Sequence, residues 1–244
     1  VKPGVRQRVR PRWSLIALGA GVLSAAGLFY FALAQPVKVL PLMEPAPVFE
    51  LVDATGAPFR SHERDGRIEI YFFGASRDTG RIEELFALMR DGAQELASRG
   101  WLGRRAELAF VTLDPDHDDP TVLADLSQVV GAPEMTEAQE SPGPAGRGLH
   151  FLSGSPVAVK LAVGSGFGLY YEPPVQVGKG LRFVYEPTVI VVDGGGTVRG
   201  RYPAAAIDPE ILVRDVGLLV EEADAAGASR LLFAGAHLFL CYAR

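Results

Sequence analysis

Residues 67–89 read Arg-Ile-Glu-Ile-Tyr-Phe-Phe-Gly-Ala-Ser-Arg-Asp-Thr-Gly-Arg-Ile-Glu-Glu-Leu-Phe-Ala-Leu-Met, and the change of pattern inside them decides the fold. Up to Gly74 the stretch is rich in β-branched and aromatic residues; beyond it Ile82, Leu85, Phe86 and Met89 recur at helical spacing. A buried strand therefore runs through a tight loop into an amphipathic helix. Such a loop lies at the carboxyl end of a strand and the amino end of a helix, where free backbone N–H groups and the helix dipole lower a thiol pKa or hold an anion. Chemistry is expected there, yet between Ala75 and Arg81 the loop offers Ser76, Arg77, Asp78 and Thr79 and no cysteine or histidine.

Upstream, Phe49-Glu-Leu-Val52 alternates into the turn Asp53-Ala-Thr-Gly56. Downstream, Glu107–Leu113 is a second buried strand that stops at Asp114-Pro115. Asp119-Pro120 then sets an N-cap before a proline at the first helical position, with Val122, Leu123 and Leu126 on the inner face. The order so far is β-α-β-α. Residues 131–149, dominated by Gly, Pro, Glu and Ser, read as a surface insertion. Order resumes at Leu149–Ser155, and Val157, Val159, Leu161 and Ala162 suggest a short helix before the glycines at 164, 166 and 168. Tyr170-Tyr171 and Arg182–Tyr185 suggest the arms of a long hairpin. Pro187–Asp193 is an apolar strand, Gly194-Gly195-Gly196 a turn and Thr197–Tyr202 the partner strand. Asp208-Pro209 caps a last helix with Leu212, Val216 and Leu219 on one face. Two crossover units, a hairpin and a closing helix predict an α/β thioredoxin-like fold, a central mixed sheet flanked by helices.

The chain has 244 residues, 48% of them hydrophobic, enough for one core domain with extras. Its net charge of −5 conceals a basic head, residues 1–13, in which Lys2, Arg6, Arg8, Arg10 and Arg12 precede the first acidic residue, Glu44. An acidic body excludes nucleic acid as the expected partner. Ser14 to Ala34 carry no charge over about the 20 residues a helix needs to cross a bilayer. Residues 14–34 are therefore expected as a single transmembrane helix, with Trp13 and Tyr30 near the interfaces. Positive charges before it predict a cytoplasmic head and a domain on the outer, periplasmic face of the cytoplasmic membrane. A cleaved signal peptide is the alternative, because Ala32-Leu33-Ala34 resembles a cleavage site. Residues 35–46, bearing Pro36, Pro41 and Pro45, read as an extended linker, 47–225 as the folded domain and 229–244 as an apolar tail. The tail is too short to span a membrane and is expected to dock on the domain, lie at the membrane surface or bind a partner.

Cys241 is the one cysteine, so neither an intramolecular disulfide nor dithiol chemistry is possible within the chain. Peroxidase chemistry needs a low-pKa cysteine in the first loop, and none is there. Ser76 lacks a G-x-S-x-G elbow. The chain is therefore not expected to be an enzyme. Asp114, Asp116, His117, Asp118 and Asp119 crowd one loop that reads as a polar loop with a helix cap, a hard cation being the alternative. His62, His150 and His237 have no Cys or His at metal-ligand spacing.

Several stretches resemble the Sco/SenC family of exported, membrane-anchored thioredoxin-fold proteins: Pro47–Gly56, Phe72-Phe-Gly-Ala-Ser76, Val111–Leu123, Phe151-Leu-Ser-Gly-Ser155 and Pro187–Asp193 with its glycine turn. The strand ending Val111-Thr-Leu-Asp-Pro115 with Asp-x-Pro before the next helix is the most specific of these. The resemblance implies a role in maturing the binuclear copper centre of cytochrome oxidase, with an oxidase subunit or assembly factor as partner and copper as a possible ligand. It also implies a Cys-x-x-x-Cys pair after the central strand and a histidine before the penultimate strand, a soft low-coordinate donor set. Those positions fall on Asp78, Ile82 and Tyr185, so all three family ligands are missing and no cofactor is expected. Asp78 reads instead as the N-cap of the following helix. Pro187 stands where the fold carries its cis-proline, an ordinary trans proline at a strand start being the alternative. The function implied is that of a redox-inactive binding or assembly module. A copper chaperone with substitute ligands such as Asp78, Cys241 and a histidine is the alternative, and a decayed paralogue a third.

Overall fold

The computed structural model describes residues 13–34, 37–63, 66–131, 148–178 and 180–239. The basic head as far as Arg12, residues 132–147 of the expected insertion, and Cys241 lie outside them. The elements are, in chain order, α1 (Trp13–Ala34), β1 (Glu44–Pro45), β2 (Glu50–Asp53), β3 (Pro58–Arg60), β4 (Ile68–Gly74), α2 (Thr79–Ser98), β5 (Ala106–Thr112), α3 (Pro120–Val130), β6 (Leu149–Ser153), α4 (Pro156–Val159), β7 (Tyr171–Val177), β8 (Gly180–Tyr185), β9 (Thr188–Val192), β10 (Thr197–Pro203), α5 (Pro209–Asp224) and α6 (Ala228–Phe239). Two compact units form, Leu40–Ala225 and a second made of Val1–Val39 with Ala226–Arg244.

In the larger unit eight strands make one mixed sheet in the order β1-β10-β9-β4-β5-β6-β2-β3. β4, β5 and β6 are parallel, and the remaining pairings are antiparallel. β4 and β5 are buried at every position, as expected of parallel strands covered on both faces. Because successive side chains alternate, Phe110 and Phe151 face one way and meet Phe86 of α2 edge to face, with ring centroids 5.1 and 6.2 Å from that of Phe86. Tyr71, Phe73, Val111, Ile190 and Val192 face the other way, into a cluster with Val159, Val163 and Phe167. Val163 and Phe167 follow from α4, which continues as a π-helical stretch, Lys160–Gly166, through two of the glycines expected to end it. β7 and β8 form the expected long hairpin as a separate two-stranded sheet.

Two of the three aspartates read as caps, Asp119 and Asp208, cap with their side chains. Asp119 accepts from Thr121 and Val122 N–H at 2.8 and 3.0 Å, and Asp208 from Ile211 N–H at 2.8 Å, each with proline next. The turn after β9 closes on Asp193, whose carboxylate accepts from Gly195 and Thr197 N–H, and Gly196 supplies the φ of +77° it requires.

Two expectations change. No cis peptide bond occurs among the described residues, so Pro187 is trans, a proline lying just before β9 whose missing N–H is tolerated there. The carboxyl end of the proline-bearing stretch expected as linker belongs to the sheet: Glu44–Pro45 pair with β10 and Leu40 is buried. What recruits it is Arg199, only 2% exposed, which pairs with Asp193 and Glu222 at 2.8 Å each and donates to the carbonyls of Leu40 and Pro41 at 2.9 and 3.2 Å.

In the smaller unit α1 is a 22-residue helix without a charged residue. The side chains at 14, 28 and 31–34 are not described, and among the described residues no helix is long and apolar enough to cross a membrane.

Candidate functional site

The loop Ala75–Asp78 joins the carboxyl end of β4 to the amino end of α2. Gly74 lets the helix come close. A Cβ there would stand 2.9 Å from Leu85 Cδ2 and 3.1 Å from Ile82 Cδ1, so with any larger residue these side chains must give way. Ile82 accordingly packs inward, 5% exposed, and brings no donor atom to the loop.

Asp78 occupies the N-cap position of α2, but its side chain makes no capping hydrogen bond. Its carboxylate turns instead to Arg81, whose Nη2 lies 2.5 Å from Oδ2. The same guanidinium donates to the carbonyl of Tyr185 at 2.8 Å and of Phe183 at 3.4 Å, and its Cζ sits 4.4 Å from the centre of the Tyr185 ring. Arg81 thus ties the loop to the open edge of β8. The Tyr185 hydroxyl and Asp78 Oδ2 are buried there without an aligned hydrogen bond. Burial first, and the facing Asp78 carboxylate second, push the Tyr185 phenol far above its ordinary pKa. Held neutral in this way, the phenol is a poor metal ligand.

The fold therefore brings together two of the three positions matched to the family ligands, Asp78 and Tyr185. It turns Ile82 into the core and places a side-chain cation between the two that meet. A copper ion does not fit this donor set. A hard carboxylate, a neutral phenol and a guanidinium already in contact offer neither soft donors nor a place for a second cation. Reading along the chain misses Arg81: its i,i+3 relation to Asp78 is visible, but its acceptors on β8 lie about a hundred residues away.

Beside this mouth the acidic loop after β5 is engaged with itself. Asp118 is fully buried and accepts from Thr112 Oγ1 at 2.5 Å, from Ser76 N–H at 3.2 Å and from the Ser76 hydroxyl, with His117 Nδ1 at 3.0 Å. Arg77 pairs with Asp114 at 2.7 Å. Desolvation raises the Asp114 pKa above the usual carboxylate range, against the lowering pull of Arg77. Asp114, His117 and Asp118 are the one group of three potential metal ligands close together among the described residues. Both of their carboxylates are already satisfied, which supports a pinned polar loop. Nor is there a serine relay, because Ser76 donates to Asp118 itself and both approach the same His117 nitrogen. Within the domain, His150 is buried against Glu107 at 3.1 Å and His62 is exposed beside Glu63, so neither adds a ligand to the mouth.

The family model described as SCO1/SenC matches residues 44–221. Among solved structures, yeast Sco1 is 20% identical, with 72% of this chain and 98% of that one covered and a TM-score of 0.55. A SCO1/SenC family lipoprotein from Bacillus anthracis str. Ames is 18% identical, covering 74% and 97% with a TM-score of 0.58. Arabidopsis thaliana ScoI, solved with copper bound, is 15% identical, covering 74% and 99% with a TM-score of 0.57. At such identities the likeness shows the fold. No curated protein matches the chain.

Proposed function

Since the chain belongs to the SCO1/SenC family, we propose that it serves the maturation of the copper centre of cytochrome oxidase by binding an oxidase subunit or an assembly factor, without redox or copper-transfer chemistry of its own. α1 holds it in the cytoplasmic membrane with the domain on the outer face; a helix of this length measures about 33 Å against a hydrocarbon core of about 30 Å. Copper is a ligand that the family resemblance allows, as the copper-bound relatives attest. The observation that carries the reading is the mouth filled from within. Arg81 joins Asp78 to the Tyr185 end of β8, at the positions matched to two of the family's ligands, so the closure a shared metal would provide is made by a side chain. The lone Cys241 leaves no dithiol for exchange.

The test is a Cu(I) titration of the purified full chain against a colorimetric chelator. No stoichiometric complex should form. A tight one-to-one complex lost in Cys241→Ser would replace this reading with a carrier using substitute ligands. Deletion of the gene should lower the copper content of the oxidase; an unchanged content would remove the assembly role.

A further inference from the structure

The second compact unit has a charge character of its own. Residues 1–39 and 226–244 hold eight of the 24 Lys and Arg residues and none of the 29 Asp and Glu residues, which all fall in the domain. Within it α6 has an apolar face in an unusual place. Leu231, Leu232 and Gly235 fall, with Ala228, within about 100° of the helix circumference, opposite Arg230 and His237. In a water-soluble helix that stripe turns to the core. Here Leu231 is 75% and Leu232 42% exposed, while Ala236, off the stripe, is the buried position. α1, grouped with α6 in the same unit, likewise exposes Leu15, Ile16, Leu18, Val22, Leu23 and Phe29.

We infer that α6 is a second membrane contact, lying in the headgroup region of an anionic bilayer with Leu231 and Leu232 in the acyl boundary and Arg230 toward lipid phosphates. An outward apolar face needs a nonpolar phase, and the helix shares its unit with the segment read as crossing one. A unit of uniformly positive sign suits anionic lipid, and interfacial helices combine these two features. The acidic domain would be repelled by such a surface, whereas the positively charged unit would be drawn to it. The inference rests on α1 being the membrane anchor.

The full chain, with Cys241→Ser as background, is reconstituted into vesicles of phosphatidylcholine and phosphatidylglycerol. Single cysteines, Leu23→Cys, Leu231→Cys or Val157→Cys, carry a fluorophore quenched by lipid-borne nitroxides. All three positions are exposed, so folding is not at risk. Quenching at 231 should exceed that at 157 several-fold and approach that at 23, and it should weaken at 231 but not at 23 when phosphatidylglycerol is left out. Lipid quenching at 23 with none at 231 overturns the inference and spares the anchor. No quenching at 23 overturns the anchor and the inference with it. A signal at 231 that depends on protein density in the vesicle, and not on the nitroxide lipid, assigns the face to a second copy and also overturns it.

Discussion

Two arginines fasten opposite ends of the sheet, and they differ in what they leave to the solvent. Arg199, at the end where β9 turns into β10, is almost wholly buried among two carboxylates and two carbonyls. Arg81, at the carboxyl end of β4, has a side chain still 38% exposed and holds one carboxylate, two β8 carbonyls and an aromatic face. A buried charge left without partners is expensive, whereas a half-exposed one is largely screened. The first node is therefore a structural rivet. The second is a clasp, placed at the positions matched to the family's ligands and costing little to open.

The sharpest way to break this contrast is to hand the clasp back to a metal. Asp78→Cys, Ile82→Cys and Tyr185→His combined should convert a chain with no stoichiometric Cu(I) binding into one with a one-to-one complex, and adding Arg81→Ala should tighten it. If the combined variant binds no copper, the mouth is not the family site. Next in size, Arg199→Met leaves Asp193 and Glu222 without their shared cation and should cost about 3–5 kcal/mol, on the order of 10 °C in Tm for a unit of this size. A shift of a degree or two in thermal melts would show that the node is dispensable.

Arg81→Ala should cost about 1 kcal/mol or less, since its contacts are partly screened. Its visible effect is local: amide hydrogen exchange in β7 and β8 should quicken while the parallel strands stay protected. Uniform quickening across the sheet would make Arg81 a rivet like Arg199. Smallest is a pH effect at Asp114. Its folded pKa lies above the unfolded value of about 3.9, so between the two the native state holds the proton more tightly. The contribution of this group is most favourable in acid and falls as pH rises through that window. Asp114→Asn should remove this slope from urea-melt stability measured as a function of pH, and an unchanged slope would place the titration elsewhere.

Much of the frame was legible because its causes are local. The switch from strand to helix across Gly74 and the Asp-Pro starts of α3 and α5 depend on neighbours within a few residues, and so does the glycine turn between β9 and β10. The candidate site was legible only by subtraction. Residue types at 78, 82 and 185 showed that soft ligands were missing, but not what replaced them. Asp78 shows why: as an isolated signal it is a helix cap like Asp119, yet its carboxylate is drawn to Arg81. Pro187 shows the converse, a resemblance suggesting a cis bond where the backbone is trans.

The sequence by itself determined that a strand–loop–helix lies at the centre, that the loop has no thiol and that positive charge gathers away from an acidic domain. Residue type and short-range periodicity suffice for each. Only the tertiary structure decided that Arg81 clasps β8, that Asp118 is buried under Ser76 and Thr112, and that Arg199 draws Leu40 and Pro41 against the domain. Those choices join residues far apart in the chain. A charged side chain settles wherever the fold leaves acceptors out of water, and no local pattern encodes that place.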